Sequence, residues 1–239
     1  MSTEVKEEDC RFKFDLSEVY WNSKLQKERN RVLEMLKPQD VVCDMFAGVG
    51  PFALRAAKKG CRVIANDLNP ACYKYLVQNS VKNKVSSKVH AYNLDARDFM
   101  TGFLKTHREE VKCEHLLESP PMADLPSTCT HIYMNLPKDA LEFLDVFVHS
   151  FDKQVWQELP IVHVYGFSAE EDAREELLNR VKQIWGEFDT SQVRITKVRD
   201  VSPKKFMYCV ETKVPACVAF PQKRKGSPTE DTQSKSIKT

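Results

Sequence analysis

The chain reads as an α/β protein with a mostly parallel seven-stranded sheet, helices on both faces and a terminal antiparallel hairpin. Three observations carry that reading. From residue 40 to residue 185, short strand-like runs alternate with helical patterns, which puts parallel strands side by side with crossover helices covering them. Only Ser202–Lys205 separates the last two strand-like runs. That is too short for a parallel crossover, so these two pair antiparallel. The length of 239 residues, 42% hydrophobic, suits one domain with small appendages.

Arg11–Trp21 alternates like a strand through Phe12, Phe14 and Leu16. A helical pattern runs from Lys24 to Leu36 and stops at Lys37-Pro38. Asp40–Phe46 is then a strand, Pro51–Lys59 a helix and Arg62–Asp67 a strand. Pro70–Lys82 is a helix with proline in its first turn, and Lys88–Asn93 a strand. Residues 102–130 break the rhythm with a charged helical piece and two proline clusters, and read as an exposed insertion. Strand His131–Leu136, helix Asp139–Ser150, strand Ile161–Phe167 and the amphipathic helix Ala169–Trp185 follow. Gln192–Val201 and Phe206–Val214 close the sheet. Residues 216–239 read as a disordered basic tail.

Composition excludes several classes. No run approaches eighteen uninterrupted apolar residues, so nothing is expected to span a membrane. Ser2–Asp9 is acidic and polar, unlike a secretory signal or a transit peptide. The eight cysteines form no Cys-x-x-Cys pair, and no histidines stand at zinc spacing, so neither a disulfide framework nor a metal is expected. Net charge is +2, but five basic and two acidic residues lie beyond residue 221, leaving 31 basic against 32 acidic in the body. A domain that grips nucleic acid alone shows a basic excess. This body does not.

The chemistry is expected at the strand ends. Asp44-Met45-Phe46-Ala47-Gly48-Val49-Gly50-Pro51-Phe52 ends the first central strand. Gly48 and Gly50 let the backbone turn tightly and approach a ligand near the start of the next helix. With Asp67 ending the following strand, the pattern also fits a dinucleotide site, so the loop alone leaves the cofactor open. Asp44 would crowd a pyrophosphate but would attract the cationic methionine end of S-adenosylmethionine. Asp95 is placed to accept from an adenine amine, and Asn135-Leu136-Pro137 ends the fourth strand at the expected switch point. Each of these also has a plainer reading as a helix cap or a turn. Four polar signals at four successive strand ends outweigh it. Glu28 lies on the apolar stripe of Leu25, Val32, Met35 and Leu36. It sits either at the stripe's wet edge or buried for a purpose, and a partly buried carboxylate suits a general base.

Several of these runs, taken in order, resemble one family. Phe14-Asp15-Leu16-Ser17, Val19-Tyr20-Trp21, Glu28 within Leu25–Arg29, Asp44–Phe52, Asn66–Pro70, Asn93-Leu94-Asp95 and Asn135-Leu136-Pro137 are similar to the C-terminal portion of the archaeal and eukaryotic tRNA (guanine-37-N1)-methyltransferases. The resemblance covers about Cys10 to Val214. It implies a class I S-adenosylmethionine-dependent methyltransferase fold, Rossmann-like, and methyl transfer to N1 of the guanine 3′ of the anticodon. S-adenosyl-L-methionine is the implied cofactor, lined by Tyr20, Phe46, Asp67, Asn69, Asp95 and Asn135. Glu28 would take the N1 proton, with Asn135 and Pro137 bordering the base. The implied partner is the tRNA anticodon stem-loop and the implied state a monomer, in cytoplasm, nucleus and mitochondrial matrix. Residues 1–22 correspond to the end of an N-terminal RNA-binding or linker module, and 23–215 to the catalytic domain. The chain departs from the family at Ser23-Lys24-Leu25, where Pro-Arg-Leu is usual, and lysine lacks a guanidinium's fork of donors. Three rivals remain: the wybutosine-pathway aminocarboxypropyl transferase, expected to lack Asn-Leu-Pro, a NAD-binding oxidoreductase, and a non-catalytic RNA- or protein-binding module with a degenerate pocket.

Overall fold

The computed structural model describes residues 2–104, 125–136 and 138–221. Its centre is a seven-stranded sheet of β3 (Val41–Asp44), β4 (Arg62–Asn66), β5 (Val89–Tyr92), β6 (His131–Met134), β7 (Ile161–Ser168), β8 (Arg194–Ser202) and β9 (Lys205–Lys213). The strand order is β5-β4-β3-β6-β7-β9-β8. The first five of these strands are parallel, and β9 lies antiparallel between β7 and β8. The predicted hairpin therefore exists, with β9 inserted beside β7.

One face carries α1 (Gln26–Met35), α2 (Ala53–Lys59) and α3 (Pro70–Lys82); the other carries α4 (Ala96–Leu104) and α5 (Ala173–Trp185). α3 starts at Pro70 as the sequence indicates, with the Asn69 side chain accepting from the Ala71 amide at 2.9 Å. Two expectations need correction. Ala140–Phe147 is a 3₁₀ helix, because Leu141, Leu144 and Phe147 recur every third residue and bury along one line. Gly102–Leu104 belongs to α4 and is buried, as are Leu125 and Cys129. The rest of the expected insertion, residues 105–124, lies outside the described residues, as does the tail from 222. Before that tail, the fold runs on past residue 215. Short helix α6 (Ala216–Ala219) buries Val218 and Ala219, and the His149 and Phe151 amides donate to their carbonyls.

The N-terminal residues form a hairpin the sequence showed only in part. β1 (Ser2–Glu7) pairs antiparallel with β2 (Cys10–Asp15), leaving Leu16 exposed beyond its end. Phe12 and Phe14 are fully buried against Trp21, with ring centroids 5.3 and 5.0 Å away. Two buried asparagines dock the hairpin, Asn79 in the last turn of α3 and Asn83 at its C-cap. Asn83 and Asn79 accept the Arg11 and Lys13 amides at 2.9 and 2.8 Å. Glu7 at the end of β1 is buried between two guanidiniums. It accepts from Arg29 Nε at 2.8 Å and from Arg55 at 3.2 Å, and it also pairs with Arg29 Nη2. Residues before the first helix are thus part of the same core. No helix among the described residues is long and apolar enough to cross a membrane.

Candidate active site

The carboxyl ends of β3 to β6 meet at one edge of the sheet, and the strand order reverses between β3 and β6. Sheets of this kind open a ligand crevice at that point. After β3 the chain turns through the glycine loop, and Asp67 clamps it. The Gly48 amide donates to Asp67 Oδ2 at 2.7 Å, and the Asn69 amide to Oδ1 at 2.9 Å. Gly48 has φ +55°, and a Cβ there would meet open space. Gly50 differs. Its φ is +93°, and a Cβ would stand 2.7 Å from Leu76 Cδ1 and 2.8 Å from Leu54 Cγ. Gly50→Ala should therefore destabilise the fold by about 1–3 kcal/mol through crowding and strain. An unaltered urea midpoint would contradict this.

Beside that loop lies a cavity of about 370 Å³, within the range of small-molecule sites. Tyr20, Phe46, Gly48 and Asn135 line it, as the sequence indicates, and so do Arg29, Phe167, Arg199 and Met207. Tyr20 is 77% exposed at its rim, its hydroxyl accepting from Asn22 Nδ2 at 2.9 Å. Asn135 donates from Nδ2 to the Tyr133 hydroxyl at 3.3 Å, while its Oδ1 is buried without a partner. A larger concavity of about 570 Å³, lined by Asp40, His131, His163 and Glu211, lies at the opposite end of β6 and β7. It meets none of the strand ends that carry the predicted groups.

The remaining predicted residues stand behind or beside the cavity wall. Asp44 is buried beneath the loop and accepts from the Phe46 amide at 3.3 Å. Burial pushes its carboxyl up to about 8; the Phe46 amide opposes this and the Asp67 carboxylate adds to it. Burial also raises Asp67, against the pull of the Asn69 and Gly48 amides. A buried and a half-buried carboxyl with raised proton affinity form a pair that a cation would relieve. Asn69 caps α3, and its Nδ2 donates to the Glu18 carbonyl at 2.9 Å. Asp95 is exposed and accepts from the Arg97 amide at 2.8 Å, so it caps α4. Pro137 lies outside the described residues.

Glu28 is 6% exposed, which decides between the wet edge and burial. Its carboxylate is not on the cavity wall, although Leu25 and Arg29 on either side of it are. Arg31 donates to both carboxylate oxygens at 2.7 and 2.8 Å, and the Tyr165 hydroxyl to Oε1 at 2.7 Å. Tyr165 in turn packs edge-on against Tyr133, ring centroids 5.4 Å apart, and the Tyr133 hydroxyl holds Asn135. A buried chain of side chains thus joins Asn135 on the wall to Glu28. Lys24, at the family's arginine position, is exposed and off the wall.

Sequence reading missed the asparagine braces. Asn66 is fully buried and bridges both the amide and the carbonyl of Leu94 at 3.0 Å. Asn93 Nδ2 donates to the Asp67 and Leu68 carbonyls at 2.7 and 2.9 Å. A polar residue closing the apolar strand Arg62–Asn66 is the signal that could have found the first. Sequence spacing also hid a cluster of His163, Cys209 and Glu211, whose ligand-type atoms lie within 4.8 Å of one another. Strand register makes it, since His163 pairs with Glu211 across β7 and β9. Glu211 already accepts from Arg31 at 2.9 and 3.1 Å and sits 2.9 Å from His163 Nδ1. A satisfied polar network accounts for the cluster.

A dinucleotide-binding sheet continues parallel through its sixth strand, whereas here an antiparallel β9 takes the place next to β7. The strand order, the clamped glycine turn and the cavity beside it define a class I S-adenosylmethionine-dependent methyltransferase domain. Residues 3–119 match the TRM5/TYW2 methyltransferase domain. It is 41% identical over 239 residues to a tRNA (guanine(37)-N(1))-methyltransferase of Phytophthora infestans, covering 99% of this chain and 53% of that protein. Against the human protein of the same name it is 40% identical over 222 residues, covering 92% of this chain and 42% of that one. The crystal structure of wild-type Trm5b from Pyrococcus abyssi superposes with a TM-score of 0.65 at 29% identity, covering 89% of this chain and 55% of that one. The chain spans about half the length of the curated relatives it matches.

Proposed function

We propose that this chain transfers a methyl group from S-adenosylmethionine to N1 of guanine 37 in tRNA. One observation carries the reading: a clamped glycine turn beside a cavity of fitting size, in a chain about 40% identical over nearly its whole length to tRNA (guanine(37)-N(1))-methyltransferases. The residues fit the cofactor. Asp67 and the Gly48 turn would hold its ribose side, Tyr20 and Phe46 its rings, and the buried Asp44 would face its cationic end. Bound there, S-adenosylmethionine supplies an electrophilic methyl group on a sulfonium.

The rest falls to the chain's own groups. N1 of guanine carries a proton and no free lone pair, so a base must take that proton as the methyl arrives. Glu28 fills that role. It is a buried carboxylate on the helix whose Leu25 and Arg29 line the cavity. Asn135, tied to Glu28 through Tyr133 and Tyr165, borders the target base. The base leaves a single-stranded anticodon loop, where unstacking is cheap.

The raised Asp44 carboxyl gives a prediction with a definite sign. A cationic ligand favours the ionised carboxyl, so binding releases a proton. Affinity for S-adenosylmethionine should therefore rise between pH 6 and pH 8 and then level off. Calorimetry in buffers of different ionisation heat reads the proton release; a flat affinity with no proton release would remove Asp44 from the cation's surroundings. The reaction itself is tested by the spent cofactor. S-adenosylhomocysteine accumulating with modified tRNA marks methyl transfer, whereas methylthioadenosine would mark transfer of the aminocarboxypropyl group.

A further inference from the structure

Arg199 lines the cavity beside the glycine turn, on a strand the sequence motifs leave without a role. Its placement depends on a bulge. Lys197 pairs with Tyr208 and Arg199 with Met207, so Val198 is an extra residue in β8. Such a two-against-one step re-aims the side chains that follow it. Residues directly opposite one another in a sheet share a face. Met207, Arg199's partner, is itself on the cavity wall. Without the bulge, Val198 would face Met207 and Arg199 would turn to the other side of the sheet.

The guanidinium is also incompletely used. Its Nη1 donates to the Asp200 carbonyl at 3.3 Å, but Nε is buried without a hydrogen-bond partner. Arg29, another cation on the wall, is already committed to Glu7 and to the Asn22 carbonyl. Lys138 is exposed at the rim. In the same cavity, Asn135 Oδ1 is a buried acceptor without a partner. A guanine edge offers a carbonyl acceptor at C6 beside a donor at N1; adenine offers the reverse. A donor-only guanidinium and an open acceptor lining one cavity match the first and oppose the second.

We propose that Arg199 is the residue that recognises O6 of the target guanine and stabilises the negative charge gathering there as the N1 proton leaves. The proposal rests on the guanine-methylating reading of this cavity.

Binding of anticodon stem-loops to the chain loaded with S-adenosylhomocysteine tests this without turnover. Three loops carry guanine, 6-thioguanine or adenine at position 37; the thio base keeps N1–H but weakens the acceptor at C6. The unaltered chain should prefer guanine to 6-thioguanine by about tenfold. Arg199→Ala should bind both equally, with S-adenosylhomocysteine affinity unchanged as the measure of an intact pocket. Arg199→Lys keeps the charge without Nε and should not restore the preference. If the guanine preference survives in Arg199→Ala, or both loops weaken in parallel, Arg199 is a backbone contact and the inference is overturned. If the unaltered chain does not prefer guanine to adenine, the guanine-methylating reading fails, and the inference with it.

Discussion

Glu28→Gln should keep cofactor affinity and lose methyl transfer by about a hundredfold to ten-thousandfold, the usual contribution of a positioned general base. Glutamine has the same shape and retains an oxygen for the Tyr165 hydroxyl, 2.7 Å away in the native protein. Arg31 loses one anionic partner but keeps Glu211 at 2.9 Å, so no cation is left unpaired. The fold and the cofactor loop, which Glu28 does not touch, should therefore persist. What disappears is the capacity to accept a proton. Single-turnover transfer alongside calorimetric cofactor affinity separates the two effects. A native rate would remove Glu28 from the chemistry, while a parallel loss of affinity and rate would make it a structural residue.

The second large effect is on stability. Glu7→Ala should cost about 3–5 kcal/mol, because removing one partner of a buried ion pair strands the other charge. Here two charges are stranded, Arg29 and Arg55. For a domain of this size the melting temperature should fall by about 6–20 °C. Glu4 supplies the control. It too has two cationic partners, Lys82 and Arg11, but in the open, where screening by water leaves an ion pair worth little. Glu4→Ala should melt close to the native protein. Equal effects at the two positions would show that burial of the Glu7 cluster contributes nothing. The same measurement reports on the N-terminal hairpin, since Glu7 fastens β1 to α1 and α2.

Why some of this was legible in the sequence and some not follows from the range of each signal. Pro70–Lys82 was bounded correctly because its start is local chemistry, an asparagine cap followed by proline. The closing hairpin was fixed by a connection too short to allow anything else. β1 was missed because Ser2–Glu7 is largely polar and exposed outward, and its buried end is held by Arg29 and Arg55, 22 and 48 residues away. At the site, the glycine turn and Asp67 could be paired from their spacing, and the structure brings them together at 2.7 Å. Asp95 could not be resolved between cap and ligand group by sequence, and its side chain caps α4. The surroundings of Glu28 were out of reach for another reason. Arg31 is a local neighbour, but Tyr165 arrives from β7, 137 residues from Glu28, and Glu211 from β9, 180 residues from Arg31. Arg199 was invisible because a bulge set its direction, and alternation along β8 would have pointed it elsewhere.

The central claim is that this cavity methylates a tRNA guanine. The most direct measurement is transfer of labelled methyl from S-adenosylmethionine to two unmodified tRNA transcripts, one with guanine and one with adenine at position 37. Label on the guanine transcript alone, recovered as 1-methylguanosine, is the result expected. Label on both, or on neither while the chain still binds the cofactor, would contradict it.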